Sequence, residues 1–461
     1  MQNGDRQMRT MESVKRLLVL QLTTIGLLVQ IAGYGFIWYR YYADAIKLEF
    51  WNRGNWLVIA IYAVLLFFFT TTYGGTKIGY LKPFDVFLSQ VFATLMVNGI
   101  TYAQISLMCE WFADTKPILL LTAGEIVFVL LWTFAADLFY KKVFPPRALL
   151  LVHGERSVDA IKAKFASRSD RYQIAGTIDI AEGMEAVQKE ITLRYGGVIL
   201  WDIPIEDRNV LLKYCYSQSI RVYMMPKISD VIIRGSERMH LFDTPIWLTR
   251  EYALTVEQRI IKRLIDLVCA MLLLVITSPI MLITALVIKI SDGGPVFYSQ
   301  VRCTMGNKEF KILKFRSMRV DAEKDGVARL ASKKDDRVTP IGRFIRAVRI
   351  DELPQLLNII AGDMSFIGPR PERPELIEKF CEEMPEFAFR TKVKAGLAGY
   401  AQVYGKYNTT PYDKLRLDLT YIENYSVWLD LRLMLLTLKV LITPSSTEGV
   451  ENKEEQKEEK N

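Results

Sequence analysis

Residues 257–295 read EQRIIKRLIDLVCAMLLLVITSPIMLITALVIKISDGGP, and the fold turns on how this run is interpreted. Apolar side chains dominate from Leu264 to Ile288, and the whole stretch is long enough for a helix to cross a bilayer. Pro279 interrupts it directly after Ser278. A proline inside a helix removes one main-chain donor and crowds the preceding turn. Two geometries satisfy these facts: a kinked helix that crosses completely, or a re-entrant hairpin of helices that dips in and returns to the same face. Arg259, Lys262 and Arg263 precede the run and Lys289 follows it, so both ends suit a membrane interface. Arg302, Lys308, Lys311, Lys314, Arg316 and Arg319 come next, and a crossing helix would export them against the positive-inside bias. The re-entrant reading is therefore preferred, with Asp266 anchored among basic neighbours near the interface rather than at mid-bilayer.

Upstream, apolar runs occupy Leu17 to Trp38, Trp56 to Thr72, Phe84 to Met108 and Pro117 to Leu138. They predict a four-helix transmembrane bundle, and the first run lacks a small-residue cleavage site, so it reads as an anchor. Asn98 and Gln104 are placed to bond between helices. Arg9, Lys15 and Arg16 precede the first run, Lys77 and Lys82 separate the second from the third, and Lys141, Lys142 and Arg147 follow the fourth. That bias puts both ends of the bundle in the cytoplasm.

From Arg147 to about Arg250 the pattern becomes strand–helix alternation: ALLLVHG, SVDAIKAKFASR, IAGTID, GVILWDIP, RNVLLKYCYSQS and IRVYMMP. This predicts an α/β domain with a parallel sheet, Rossmann-like in outline. Its first turn, HGERSVD, carries only Gly154 of the three glycines that bind a dinucleotide, so NAD or FAD is not expected. His153 reads as a satisfied turn residue. The expected organisation is a bundle over 1–145, a Rossmann-like domain over 146–254, a third domain over 255–449 and a disordered polar tail over 450–461.

The chain has 461 residues, 51% of them apolar, and a formal charge of +8. A basic balance suits nucleic acid, anionic lipid or a phosphorylated substrate. The apolar spans favour the last two, and no zinc-finger or aromatic-basic RNA-reader motif supports nucleic acid. Five isolated cysteines lack metal-ligand or redox spacing and point to a reducing compartment for the polar domains.

The chemical signal is concentrated between Ser291 and Glu375. KFRSMR begins at Lys314, and RFIRAVRIDELPQLLNIIAGDMSFIGPRPERPE begins at Arg343. Arg343, Arg346 and Arg349 recur every third residue and would share one helix face ending beside Asp351 and Glu352. Arginine forks match phosphate oxygens bidentately, and the same cations are expected to lower both carboxyl pKa values. Neighbouring carboxylates can bind Mg²⁺ together with substrate phosphate and water; an aspartate can also be a covalent nucleophile for phosphoryl groups. Glu352 is assigned to proton transfer, orientation of Asp351 or metal support, which the residues alone do not separate. The glycines and prolines of GDMSFIGPRP predict turns that aim Arg370 at the pocket. An arginine stripe beside Asp-Glu is equally the pattern of a solvated ion-pair network, so the weight rests on the combination with the broken apolar run.

These motifs resemble the bacterial sugar transferase family, the monotopic polyprenyl-phosphate phosphoglycosyl transferases, and in particular its large members. The resemblance is strongest from about Thr255 to Ser445. It implies that Asp351 is the nucleophile and Glu352 its partner, that Lys314, Arg316, Arg346 and Arg370 bind phosphate, and that Ser278 and Pro279 break the membrane helix. Arg349-Ile350 stands where many members have Ser-Leu, and Ala395 where proline is common. The implied reaction moves hexose-1-phosphate from a UDP-sugar to undecaprenyl phosphate, with Mg²⁺, through a phosphosugar-aspartate. The implied setting is the bacterial inner membrane, catalytic domain at the cytoplasmic face, with a homodimer compatible with the large architecture. The competing functions are hydrolysis of a nucleotide-sugar or lipid diphosphate, and a non-catalytic scaffold or regulator of polysaccharide assembly.

Overall fold

The computed structural model describes residues 2–47, 50, 52–193, 195–251, 253–319, 337–405 and 409–442. The tail expected over 450–461 lies outside them. The chain divides into two compact units, Met1–Met225 and Pro226–Asn461.

The first unit opens with four long helices, α1 (Gln2–Ile37), α2 (Asn52–Tyr73), α3 (Pro83–Met108) and α4 (Lys116–Val143). Each has a stretch long and apolar enough to cross a membrane. Their contacts are not purely apolar. Asn98 on α3 donates to Thr122 (2.8 Å) and Glu125 (2.7 Å) on α4, and the Tyr62 hydroxyl on α2 donates to Glu125 (2.8 Å) and lies 3.0 Å from the Asn98 side-chain oxygen. Every buried polar atom in such a cluster needs a partner, so the cluster pins three helices in one register. Gln104 does not take part in it.

The rest of this unit alternates: β1 (Arg147–His153), α5 (Asp159–Ala166), β2 (Tyr172–Asp179), α6 (Met184–Ile191), β3 (Val198–Trp201), α7 (Ile205–Ser217) and β4 (Val222–Met224). The four strands pair in parallel in the order β2-β1-β3-β4. Leu149 to Val152 are fully buried because helices cover both faces of a parallel sheet. A Cβ on Gly154 would collide with the Asp202 carbonyl, so this glycine serves the close approach of the β1 and β3 ends. His153 Nδ1 lies 3.1 Å from the Gly154 carbonyl oxygen and 3.8 Å from Asp179 Oδ2.

The second unit begins with α8 (Ile228–Gly235) and a hairpin, β5 (Glu237–Leu241) and β6 (Thr244–Leu248). Val231 of α8 packs in the same core as Phe387, Leu415, Leu419 and Leu433. Helix α8 thus shares the hydrophobic core of the C-terminal unit, while the β5–β6 hairpin is exposed. There follow α9 (Val256–Asp292), β7 (Phe297–Cys303), β8 (Glu309–Phe315), α10 (Pro340–Ala347), α11 (Gln355–Ala361), β9 (Ser365–Ile367), α12 (Pro374–Glu383), β10 (Gly396–Ala398), α13 (Tyr400–Tyr404), α14 (Pro411–Glu423) and α15 (Val427–Ile442).

Helix α9 corrects the expected count: among the described residues there are five membrane-length helices, not four. It is also one 37-residue helix rather than two, with Pro279 inside it. The reason is local. Pro279 cannot donate to the carbonyl four residues back, that of Val275, and the Ser278 hydroxyl donates to that oxygen instead, at 2.8 Å. Thr277 Oγ1 likewise donates to the Leu273 carbonyl at 2.7 Å. The two halves of α9 pack on one domain. Ala270, Leu273 and Leu274 join Phe310 and Ile312 of β8 with Leu356 and Ile359 of α11. Met281, Ala285 and Ile288 join Phe315 at the end of β8 with Ile345, Ile350 and Leu353. Near the N-terminal end of α9, Lys262 donates to the Ile367 carbonyl (2.9 Å) and pairs with Asp430 (2.6 Å). Arg263 donates to the Ile359 and Ile360 carbonyls. Much of the remaining surface of α9, including Val275, Ile276, Leu282, Ile283 and Ile290, is exposed and apolar.

Candidate active site

The site is assembled from three short pieces of backbone. The antiparallel pair β7–β8 ends in Lys314, Phe315 and Arg316. Strand β8 packs on the turn after α10, a single helical turn over Ile350–Glu352 that carries the carboxylate pair. The third piece is the Gly368–Glu372 loop leaving β9, which brings Arg370.

The expected arginine stripe is not a continuous face. Helix α10 stops at Ala347, and Arg349 adopts the left-handed conformation (φ 58°) before the next turn starts. A non-glycine residue seldom sits there. The reversal turns Arg349 back to within 3.6 Å of Glu352 Oε2, while Arg343 stays exposed. Glu352 also accepts from Lys314 Nζ at 3.0 Å and from Arg370 Nη2 at 3.1 Å, both on Oε1. One half-buried carboxylate thus gathers three cations from three separate segments.

Asp351 is different. It is 8% exposed, and its Oδ1 is buried without a hydrogen-bond partner. Burial pushes its pKa up, and the neighbouring Glu352 charge pushes the same way, against Lys314, Arg346 and Arg349. For Glu352 burial acts upward as well, but Lys314, Arg370 and Arg349 outweigh it and hold the group well below the usual carboxylate range. The pair is therefore split, contrary to the expectation that both pKa values fall. The reason is that the cations contact Glu352 directly and influence Asp351 only through space.

Of the remaining expected residues, Arg346 contributes electrostatically to Asp351. Arg316 is buried, with its guanidinium against the Gly293–Gly294 turn: a Cβ on Gly294 would collide with it. Ser278 and Pro279 lie within α9 and take no part in the cluster. Among the described residues no three His, Cys, Asp or Glu side chains come together to hold a metal. The donor set still suits Mg²⁺ shared with a phosphate. Asp351 offers a hard oxygen that no described residue satisfies, whereas Glu352 is already engaged by cations.

Behind Arg370 lies a second set of charges that sequence reasoning passed over. Glu372 pairs with Lys414 and lies 3.5 Å from Arg390, and Arg390 pairs with Asp418 at 2.8 Å. Burial raises the Glu372 pKa, yet Lys414 and Arg390 bring it down to about 2. The only hint in the sequence is Lys414 and Asp418 at helical i, i+4 spacing; nothing local connects them to Arg390 or to the Arg370 loop.

The segment that carries this cluster also matches a known family. Residues 257–444 match the model of the bacterial sugar transferase family. The UDP-N-acetylgalactosamine-undecaprenyl-phosphate N-acetylgalactosaminephosphotransferase of Aeromonas hydrophila is 37% identical over 235 residues, 50% of this chain. The chain spans only about half of that relative's length, 55%. The UDP-glucose:undecaprenyl-phosphate glucose-1-phosphate transferase of Caulobacter vibrioides is 41% identical over 187 residues, which is 40% of this chain and 70% of that protein. The undecaprenyl-phosphate galactose phosphotransferase of Salmonella typhimurium is 26% identical over 409 residues, 79% of this chain and 82% of that one. With the matched segment holding Lys314, Asp351, Glu352 and Arg370 in one pocket, this chain belongs to the bacterial sugar transferase family.

Proposed function

We propose that the chain transfers a hexose-1-phosphate from a UDP-sugar to undecaprenyl phosphate, releasing UMP, as the first membrane step of surface polysaccharide synthesis. The observation that carries this reading is the split pair: a buried Asp351 with an unpartnered oxygen beside a Glu352 that holds Lys314, Arg349 and Arg370. Cations fixed beforehand stabilise the charge that develops on a transferring phosphoryl group without reorganising during the reaction. A poorly hydrated carboxylate with a raised pKa is the stronger nucleophile of the two.

In the first step an Asp351 carboxylate oxygen attacks the phosphorus that bears the sugar. The bond from that phosphorus to the bridging oxygen breaks, and UMP leaves with the electron pair. In the second step a phosphate oxygen of undecaprenyl phosphate attacks the same phosphorus, and the Asp351 carboxylate departs. The sugar's anomeric bond is never broken. Lys314, Arg370 and Arg349 hold the donor phosphates, and Glu352 keeps these cations in place. Asp351 would hold a Mg²⁺ ion together with substrate phosphate, and that ion would supply charge neutralisation between an anionic nucleophile and an anionic donor. The relatives' names cover N-acetylgalactosamine, glucose and galactose, so the donor class is a UDP-hexose or its N-acetylated form.

The acceptor needs a phosphate at the pocket and a chain in the leaflet. An α9 that stays one helix but bends at Pro279 and returns to the face it entered meets both needs. The reading is supported by the packing of residues on both sides of Pro279 against the same strand β8, with basic side chains at both ends of the helix. The catalytic unit then lies at the cytoplasmic face of the inner membrane, where UDP-sugars are supplied.

The test is to incubate the full chain with radiolabelled UDP-sugar and Mg²⁺, with and without undecaprenyl phosphate. Without acceptor, intact mass is expected to show one phosphosugar on Asp351; with acceptor, the label moves to the lipid phase, and EDTA stops both. Free phosphosugar as the sole product would make the chain a hydrolase. Full activity in Asp351→Asn would remove the proposed nucleophile.

A further inference from the structure

The loop that carries Arg370 is held from behind by buried charges that do not reach the pocket. Arg390 is 3% exposed and Asp418 1%. Arg390 donates through Nη2 to the main-chain carbonyl of Arg370 at 3.0 Å. Its Nε donates to Asp418 Oδ2 at 3.0 Å, and Nη2 lies 2.8 Å from the same oxygen. The Phe387 ring stacks under its guanidinium, 4.9 Å from centroid to carbon. Two residues beyond Arg370, Glu372 takes Lys414 and lies 3.5 Å from Arg390 and 3.8 Å from Arg302. Arg302 donates to the Pro371 carbonyl at 3.3 Å. Three consecutive residues, 370 to 372, are thus each bound by a cation, with Arg390 buried and Arg302 and Lys414 half-buried.

A structural network needs ion pairs; it does not need one of its cations bonded to the carbonyl of a phosphate-binding arginine. We propose that Arg390 and Asp418 are positioning residues that set where the Arg370 guanidinium meets the donor diphosphate. Asp418 on α14 fixes the plane of Arg390, and Arg390 fixes the Arg370 backbone. The Arg370 side chain is then stretched toward Glu352 at 3.1 Å. Lysine at position 390 has one ammonium and no planar fork, so it cannot reproduce the paired Nε and Nη2 contacts with Asp418 that fix the plane in which Nη2 meets the Arg370 carbonyl. The proposal rests on the transferase reading for the identity of the donor, not for the geometry.

The experiment is a double-mutant cycle in the full-length protein, combining Arg390→Lys with Arg370→Lys. It is read by UDP binding and by kcat and KM for the UDP-sugar. Arg390→Lys alone is expected to lower kcat/KM and UDP affinity about 10- to 100-fold, the size of a displacement of about 1 Å. In the Arg370→Lys background it is expected to add about twofold or less, because residues acting through one another are not additive. Losses that multiply fully in the double variant overturn the proposal. So does an Arg390→Lys protein with unchanged kinetics and a lowered unfolding temperature, which is the signature of a purely structural pair. If Arg390→Lys does not accumulate, the near-isosteric Asp418→Asn replaces it in the same cycle. UDP binding by a wild-type protein that shows no transfer would refute the proposed function while leaving this cycle readable.

Discussion

Replacing Glu352 by Gln leaves the shape of the site and removes the charge around which it is built. Glu352 Oε1 accepts from Lys314 at 3.0 Å and from Arg370 at 3.1 Å. A hydrogen bond to a charged group is worth about 1.5–3 kcal/mol against about 1 kcal/mol for a neutral one. Downgrading two of them loses about 1–4 kcal/mol. A middle value of about 2.5 kcal/mol, felt wholly as misplaced cations in the transition state, is about a 70-fold loss of kcat/KM. A second effect has the opposite flavour. The Asp351 pKa is raised by burial and by the Glu352 charge, and Asp351 must be ionised to attack. Removing that charge lowers the Asp351 pKa, so the pH below which kcat/KM falls must move down in Glu352→Gln. The assay is UMP release across a pH series at low UDP-sugar concentration, which reports the free enzyme's ionisations. An acid limb that stays put or moves up, or a kcat/KM equal to wild type, would refute the assignment of Glu352 as the organiser of the three cations.

Gly294→Ala is expected to lower transfer by about tenfold with little change in unfolding temperature, because the new methyl group must displace the movable Arg316 guanidinium rather than backbone. Glu372 has its carboxyl held down at about 2 against an ordinary 4.5. At about 1.36 kcal/mol per pH unit, that gap is worth about 3 kcal/mol. A depressed carboxylate contributes fully above the unfolded value and is lost as pH falls from 4.5 toward 2. Thermal unfolding of Glu372→Gln should therefore be less sensitive than wild type across that window. For the membrane helix, cysteines introduced at Glu257 and Ser291 in a cysteine-free background should both be shielded from an impermeant thiol reagent in intact cells and both be labelled in inverted vesicles. Labelling of one from each side would mean that α9 crosses.

Lys314, Arg370 and the Asp351–Glu352 pair, which the structure groups, stand in short runs whose residue types already point to phosphate chemistry, whereas Arg316 lies against the Gly293–Gly294 turn. The stripe Arg343–Arg346–Arg349 was misleading, because spacing assumes a continuing helix and the backbone reverses at Arg349. Around Pro279 the sequence favours a hairpin of two helices over one kinked helix, because a proline removes a donor. The structure keeps one helix because the neighbouring serine hydroxyl serves the orphaned Val275 carbonyl.

Composition and periodicity by themselves determined that long apolar helices would coexist with an alternating α/β segment and a basic region. These properties are local, set by side-chain transfer to an apolar phase and by main-chain period. Only the tertiary structure decided which carboxylate the cations would claim. That choice depends on distances of a few ångströms between segments far apart in the chain, and charge–charge energies in a buried pocket change steeply over such distances. The same holds for Arg390 and Asp418, ordinary charges in the sequence that become the support of Arg370 once α14 is packed behind its loop.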